Sequence, residues 1–216
     1  MTSSESDLAL RTAEAASVVS ALLLAPPSPE LVNLLSDPVA AEDWPIDDDR
    51  ARAALQRVAT ADMPDPSELR RDHFMLFVGP GRGHACPYES VYLSHDGLLF
   101  GTETYAVRAE YHSAGLIAPQ EGNEPDDHIG LEFAFVSELC RRIATGVGVT
   151  DTHPYRVQLG RFLTEHLTRF APTVLAAVEK HAFTPPYQAL PALATSALTS
   201  AEQLSVTHLT VVGGGR

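Results

Sequence analysis

Apolar residues recur along this chain at helical spacing, and alternating strand patterns are rare. In residues 8–24, "LALRTAEAASVVSALLL", apolar side chains return every three or four positions, which is the period of an amphipathic helix. Comparable stripes occupy residues 49–61, 154–178 and 185–204. The widest stripe falls within residues 125–144, and this width predicts a central helix.

Residue types that start and stop helices lie between these stripes. The segment "APPSPE" ends the first helix and begins a short second one, because proline fits the first helical turn but not the interior. Asp65 is a predicted N-cap, with Pro66 at the first helical position and Glu68 at the third. Gly146 and Gly148 are predicted to end the central helix.

One stretch departs from the helical pattern. Residues 91–100 surround an Asp-Gly pair and have the local signature of a β-hairpin. Helical patterns cover most of the remaining chain, and no repeat of fixed period is present. We therefore predict an all-α, single-domain multi-helix bundle over residues 1–216, with a core of about 8–205 and a flexible tail at 206–216.

Composition and charge narrow the function classes. The net charge of −13 argues against a nucleic-acid-binding protein, which needs a basic face, and is compatible with a basic partner. The sequence contains no run of about 18 uninterrupted apolar residues, so no membrane span is predicted. The acidic N-terminus lacks the basic region of a secretory signal. Cys86 and Cys140 are too few for a disulfide framework, although one bond between them stays open. We predict a cytoplasmic protein without stable membrane insertion.

The segment "GPGRGHACPYESVY", residues 79–92, is the first candidate site. It matches neither GxxxxGK[ST] nor GxGxxG and follows a predicted helix instead of a strand, which argues against a nucleotide-binding loop. His84, Cys86 and His95 lack the usual spacing of metal ligands. Cys86 as a nucleophile would need a base that the loop does not provide by itself.

The shape of this loop is its most informative property. Gly79 and Gly81 permit backbone conformations with positive φ, and Pro87 stiffens the segment. Tyr88 and Tyr92 offer rigid aromatic area with a polar tip, as at surfaces that grip a partner. The residues alone leave two interpretations open, a binding surface and an ordinary core-packing loop.

The segment "EGNEPDDHIGLE" is the second candidate site. We predict Pro125 at the first helical position, which puts Asp126 and Asp127 in the first turn, where carboxylates complement the helix dipole. His128 and Glu132 are then neighbours on one helix face. The segment is either a well-capped helix start or an acidic cluster that pairs with guanidinium groups.

Taken in order, the two segments resemble the TorD/DmsD family of cytoplasmic chaperones for redox enzymes. That family carries an LFxGPG-like loop ending in P-x-x-S-x-Y and, about 35 residues later, E-P-x-D-H-x-x-x-E. The resemblance extends over about residues 8–205. The matching positions here are Phe77, Gly79, Pro80, Gly81, Pro87, Ser90 and Tyr92, followed by Glu124, Pro125, Asp127, His128 and Glu132.

The resemblance implies an all-helical protein that is not an enzyme. Its partner would be the twin-arginine signal peptide, or the body, of a molybdenum-cofactor oxidoreductase subunit, held until the cofactor is inserted and export can proceed. It also implies that residues 91–100 form an irregular connection, and that the protein is a monomer or a helix-exchanged homodimer. No cofactor of its own is implied beyond weak GTP binding.

The resemblance also predicts a client-binding site with no catalytic residue and no metal. Glu124, Asp126 and Asp127 would receive the arginines, so Asp127→Ala is expected to weaken binding without lowering the melting temperature. The predicted binding residues are Gly79, Gly81, Pro87, Tyr88, Ser90, Tyr92, Glu124, Pro125, Asp126, Asp127, His128 and Glu132.

The remaining predicted roles complete this hypothesis. Tyr88 and Tyr92 would receive the apolar part of the peptide, and His128 would orient Glu132 or respond to pH near neutrality. Two alternatives stay open. One is a guanine-nucleotide-binding regulator of the assembly step, and the other is a small metal-dependent hydrolase that uses His128 and the carboxylates.

Overall fold

A computed structural model describes residues 3–146 and 152–206 of the chain. Over these residues it contains helices and no β-strand, which confirms the all-α prediction. The helices are α1 (Ser3–Leu24), α2 (Pro29–Ser36), α3 (Pro38–Glu42), α4 (Asp49–Thr60), α5 (Pro66–His73), α6 (Glu89–Leu93), α7 (Thr102–Ser113), α8 (Ile129–Thr145), α9 (His153–Phe162), α10 (Thr168–His181) and α11 (Pro185–Val206). π-Helical turns extend α5 over Phe74–Val78 and join α9 to α10 over Leu163–Leu167.

Side chains at the helix ends explain where the helices begin. The Asp65 carboxylate accepts hydrogen bonds from the first turn of α5, while Glu68 accepts one from the Asp65 backbone N–H, so the predicted capping box is confirmed. The Asp48 carboxylate also caps α4, by accepting from the Arg50 and Ala51 N–H groups. Gly146 ends α8 with φ of 62°, as predicted, whereas Gly148 lies outside the described residues.

The long helix α8 lies at the centre of the core, as its wide apolar stripe predicted. It packs along α1, and α11 packs against α1, α4 and α10. Fully burying each large apolar side chain stabilises the fold by about 1.5–3 kcal/mol. The α8 side chains with no exposed surface include Ile129, Phe133, Val136, Leu139, Cys140 and Ile143.

Close approach between α1 and α8 depends on small residues. Ser20 donates a hydrogen bond from its hydroxyl to the Gly130 carbonyl (2.7 Å), and Ser137 donates to the Ala13 carbonyl (2.7 Å). A Cβ at Gly130 would lie 2.7 Å from the Leu24 side chain, which is closer than packing allows. Glycine at this position therefore lets the end of α1 lie directly beside the start of α8.

The segment after α6 corrects the local hairpin prediction. Residues 91–100 contain the end of α6, followed by turns, so the hairpin is wrong and the irregular connection is right. The Ser94 N–H continues the helical pattern by donating to the Ser90 carbonyl, so it is not available for pairing with a strand.

Three further features complete the fold. Cys86 and Cys140 are both buried and free, so no disulfide joins them. Of the predicted tail, Val206 ends α11, and residues 207–216 lie outside the described residues. Among the helices described, none is both long and apolar enough to cross a membrane.

Candidate peptide-binding groove

The two segments singled out in the sequence meet in the fold. Tyr88 and His128 form an isolated antiparallel β-bridge. The Glu89 N–H donates to the Asp127 carbonyl (2.9 Å), and the Ile129 N–H donates to the Pro87 carbonyl (2.7 Å). This pair of backbone bonds fixes the loop before α6 against the residues before α8.

The Asp127 side chain strengthens this junction from inside. It is completely buried. One carboxylate oxygen accepts from the Ser90 backbone N–H (2.7 Å), and the other accepts from the Thr104 hydroxyl (2.6 Å). Both oxygens are therefore engaged within the protein, and Asp127 connects the starts of α6, α7 and α8.

The start of α8 differs from the sequence prediction. The helix begins at Ile129, and His128 is its N-cap, with Nδ1 accepting from the Gly130 N–H (3.0 Å). Pro125, Asp126 and Asp127 precede the helix, so placing them in its first turn was wrong. The β-bridge explains the difference, because it holds residue 128 in an extended conformation that a helix cannot adopt.

Burial shifts the pKa of two ionisable groups near the junction towards their uncharged forms. Burial, with a smaller contribution from His73, lowers the pKa of His128 to about 4. This corrects the expected response near neutrality, because the imidazole stays neutral there and its Nδ1 stays an acceptor. Burial, together with Glu89 and Asp127, raises the pKa of the fully buried Glu132 carboxyl well above its usual value.

A groove of about 330 Å³ lies on the outer side of the β-bridge. Its walls come from the end of α1, the π-helical turn after α5, the loop before α6 and the segment that leads into α8. Leu24 is 43% exposed and Val78 is 52% exposed, so apolar surface faces solvent there. The apolar side chains that line it are Leu24, Phe77, Val78, Pro87, Tyr88, Ala118, Pro119, Pro125 and Leu131.

Two carboxylates give the groove an acidic rim. Glu124 is exposed. Asp126 is only 1% exposed, and one of its oxygens accepts from Arg108 Nε. The other oxygen, Oδ1, is buried and has no hydrogen-bond partner among the described residues. The groove thus combines an apolar floor with negative charge at one edge.

The structure brings some predicted site residues to the groove and leaves others beneath it. Pro87, Tyr88, Glu124, Pro125, Asp126 and His128 line it, whereas Gly79, Gly81, Ser90, Tyr92, Asp127 and Glu132 do not. Two of the residues that do not line it support the loop before α6. The Tyr92 hydroxyl donates to the Cys86 carbonyl (2.8 Å), and the Asp127 carboxylate accepts from the Ser90 N–H (2.7 Å).

Several groove residues were missed by sequence reasoning. Leu24, His73, Val78 and Leu131 reach the groove from four different elements. The single available signal was that Leu24 and Val78 are large apolar residues at the very ends of predicted helices. Only the tertiary packing shows that these ends meet.

A metal-capable cluster lies apart from the groove. Over the described residues, Glu110, Glu165 and His166 have ligand atoms within 4.8 Å of one another, and the sequence-considered His84, Cys86 and His95 form no such group. Arg161 donates two hydrogen bonds of 2.8 Å to the Glu110 carboxylate. A guanidinium therefore already supplies the positive charge at this cluster.

The burial of Asp127 predicts a structural role that the sequence did not. Asp127→Ala should lower the free energy of unfolding by about 2–4 kcal/mol, because the Ser90 N–H and Thr104 hydroxyl would lose their acceptor. Urea denaturation followed by circular dichroism measures this change. The exposed Glu124→Ala is the control, expected within about 0.5 kcal/mol of the unmodified protein. Equal stability of both variants would contradict the role assigned to Asp127.

The lowered pKa of His128 predicts a specific dependence of stability on pH. Between about pH 6.5 and pH 4 the unfolded chain binds a proton at His128 that the folded protein does not, so stability falls across this window. His128→Asn keeps an N-cap acceptor without titrating. This variant should lose about 2 kcal/mol less than the unmodified protein between about pH 7.5 and pH 5.

Chemical denaturation at several pH values tests this prediction. His73, whose pKa burial also lowers, is present in both proteins, so its own burial contributes to both pH profiles. Identical pH profiles for the two proteins would show that His128 is not held neutral by the fold.

Comparison with known proteins gives the groove a family context. The family model described as nitrate reductase delta subunit matches residues 42–176, which include both segments of the β-bridge. The chain is 30% identical over 167 residues to the Tat proofreading chaperone DmsD of Salmonella typhi, a match that covers 77% of this chain and 74% of the relative. It is 30% identical over 105 residues to the chaperone protein TorD of Aliivibrio fischeri, covering 49% of each chain.

A second TorD, from Vibrio vulnificus, is 36% identical over 75 residues, or 35% of each chain. These relatives are named as chaperones and not as enzymes, in agreement with the non-enzymatic role that the sequence motifs implied. The chain therefore belongs to the nitrate reductase delta subunit family and, within it, to the TorD/DmsD type that its paired motifs predicted.

Proposed function

We propose that this protein is a redox-enzyme maturation chaperone whose groove binds the twin-arginine signal peptide of a molybdoenzyme subunit in the cytoplasm. The observation that carries this proposal is the apolar groove with an acidic rim, built from both family motifs. Covering the peptide would delay export of the subunit until its cofactor is inserted. The proposal gives the protein no catalytic step and no cofactor of its own.

The apolar floor suits the apolar stretch of such a peptide. Leu24, Val78 and Leu131 present side chains that water already contacts, and covering them releases that water. Burial contributes about 25 cal/mol for each Å² of apolar surface removed from solvent. The floor is formed by side chains and requires no particular pattern of backbone hydrogen bonds from the peptide, so it suits varied apolar sequences.

The acidic rim suits the two arginines. A carboxylate and a guanidinium can form two parallel hydrogen bonds, which gives both strength and direction. Glu124 is exposed and open to such a pair, and Asp126 has one oxygen without a partner. The net charge of −13 also favours the approach of a cationic peptide over long distances.

The junction behind the groove lowers the cost of binding. The β-bridge and the two bonds to Asp127 hold Tyr88 and His128 in position before any peptide arrives, and the two rings pack edge to face with centroids 5.2 Å apart. A site that is ordered in advance loses less conformational entropy when it binds.

A second contact, with the body of the apo-subunit, is favoured by one exposed surface. Leu98, Leu99 and Phe100 are each more than 40% exposed, and Phe100 has φ of 61°, which is strained for an aromatic residue. A signal peptide attached to its apo-subunit should therefore bind this protein more tightly than the isolated peptide does. Leu99→Ser should reduce this gain in affinity without changing the binding of the isolated peptide.

The guanine-nucleotide alternative receives less support from the charges. The groove carries two carboxylates, and the nearby Arg108 is already paired with Asp126, so a triphosphate would meet net negative charge there. Equilibrium dialysis with GTP tests this alternative directly. Saturable GTP binding would support it and would require a site other than the groove.

The proposal predicts selective binding in calorimetric titration. A peptide with two arginines and an apolar stretch should bind with a dissociation constant near one micromolar, about −8 kcal/mol. The same peptide with both arginines changed to alanine should bind at least about tenfold more weakly, because two charge-assisted contacts are lost. Equal binding of both peptides, or of neither, would contradict the proposal.

A matched pair of variants locates this binding. Leu24→Ser should weaken binding several-fold, because it removes apolar surface from the groove. Leu34→Ser is the control, since Leu34 is similarly exposed but lies on α2 and does not line the groove. Equal effects of both variants would place the peptide elsewhere on the protein.

A further inference from the structure

Asp126 is a buried carboxylate with one oxygen hydrogen-bonded and the other without a partner among the described residues. Its side chain is 1% exposed, yet the residue lines the groove. Arg108 Nε donates to Oδ2, while Oδ1 has no partner among the described residues. Among the described residues, Asp72, Ser90, Glu103 and Glu132 also have buried side-chain oxygens without a partner, but of these residues only Asp126 lines the groove. A buried charged group normally has its hydrogen-bonding capacity filled, so a donor that enters the groove is the candidate partner for the free oxygen of Asp126.

Arg108 lies between two acidic partners. Besides Asp126, it has the Glu121 carboxylate 4.0 Å from Nε. Its guanidinium also lies over the exposed ring of Tyr105, 5.3 Å from the ring centroid. His112 Nε2 lies 2.7 Å from the same Glu121 oxygen and holds that carboxylate in place. Arg108 therefore has a second carboxylate, that of Glu121, beside the one with which it is paired.

We propose that Arg108 is a resident guanidinium that a client arginine displaces from Asp126, and that Arg108 then pairs with Glu121. This inference rests on the proposed function and identifies a residue that determines its specificity. Arg108 uses Nε on a single oxygen of Asp126, whereas an incoming guanidinium could engage both oxygens in parallel. The displaced side chain keeps its contact with Tyr105 and exchanges one carboxylate for another.

Competition with a resident arginine makes the site selective for arginine over lysine. A lysine ammonium is a point charge without the planar fork that matches a carboxylate. It can hold one oxygen of Asp126, as Arg108 already does, but it cannot offer the two parallel bonds that favour exchange. Occupation by Arg108 also lowers the apparent affinity for every ligand by the fraction of free sites.

Calorimetric titration of the full chain with twin-arginine and twin-lysine peptides tests this inference. Arg108→Ala should bind the arginine peptide about 5-fold more tightly than the unmodified protein does. The preference for arginine over lysine should shrink, because lysine no longer competes with a resident guanidinium. A folded variant with unchanged or weaker arginine-peptide binding would overturn the inference.

Arg142→Ala is the matched control. Arg142 also pairs with a carboxylate, Glu138 (2.8 Å), and also lies over an aromatic ring, that of Tyr155 (5.6 Å). The substitution removes the same charge, but Arg142 lies about 16 Å along α8 from Leu131, which lines the groove. It should change neither peptide affinity. A gain equal to that of Arg108→Ala would mean that net charge alone causes the effect, which would overturn the inference.

Glu121→Gln provides a second test, because Arg108→Ala leaves the buried Asp126 carboxylate without its guanidinium partner and could fail to fold. Without the Glu121 carboxylate as a second partner, Arg108 is harder to displace from Asp126. The Glu121→Gln variant should therefore bind the arginine peptide about threefold more weakly. In the Arg108→Ala background that loss should disappear, which a double-mutant cycle measures. Unchanged binding in Glu121→Gln, or an equal loss in both backgrounds, would overturn the inference. If the unmodified protein fails to distinguish the arginine peptide from its alanine control, the proposed function fails instead.

Discussion

The groove depends on one buried side chain, the carboxylate of Asp127. Its two oxygens accept from the Ser90 N–H and the Thr104 hydroxyl, and its backbone carbonyl accepts from Glu89. Through these bonds a single residue sets the positions of α6, α7 and the start of α8. A buried carboxylate is costly unless its hydrogen bonds are made, so this arrangement forms completely or is strongly disfavoured. The same hydrogen bonds hold the walls of the groove in fixed positions.

Other acidic groups around this junction have different surroundings. Asp126 is paired with Arg108, Glu89 lies 3.1 Å from His166 Nδ1, and burial raises the pKa of Glu132 well above its usual value. Among the described residues that line the groove, Glu124 has an exposed carboxylate and Asp126 a buried one. Much of the negative charge near the site therefore lies inside the protein, and these two carboxylates are the ones that border the groove.

Sequence patterns predicted most of the fold because its signals are local. The capping box at Asp65 and the glycine stop at Gly146 depend on neighbouring residues alone, and the stripe of α8 depends on its own period. The start of α8 was wrong because a long-range β-bridge overrides the proline signal at Pro125. For the same reason the motifs indicated the region of the site, but not that Asp127 faces inward while Leu24 lines the groove.

Photo-cross-linking tests the central claim, that the two motif segments form the walls of a peptide groove, most directly. A twin-arginine peptide would carry a photoreactive residue in its apolar stretch, and mass spectrometry would locate the cross-links on the full chain. The account predicts cross-links to Leu24, Val78 and residues 118–131, suppressed by excess unlabelled peptide. Competable cross-links confined to other surfaces, such as residues 98–105, would contradict it.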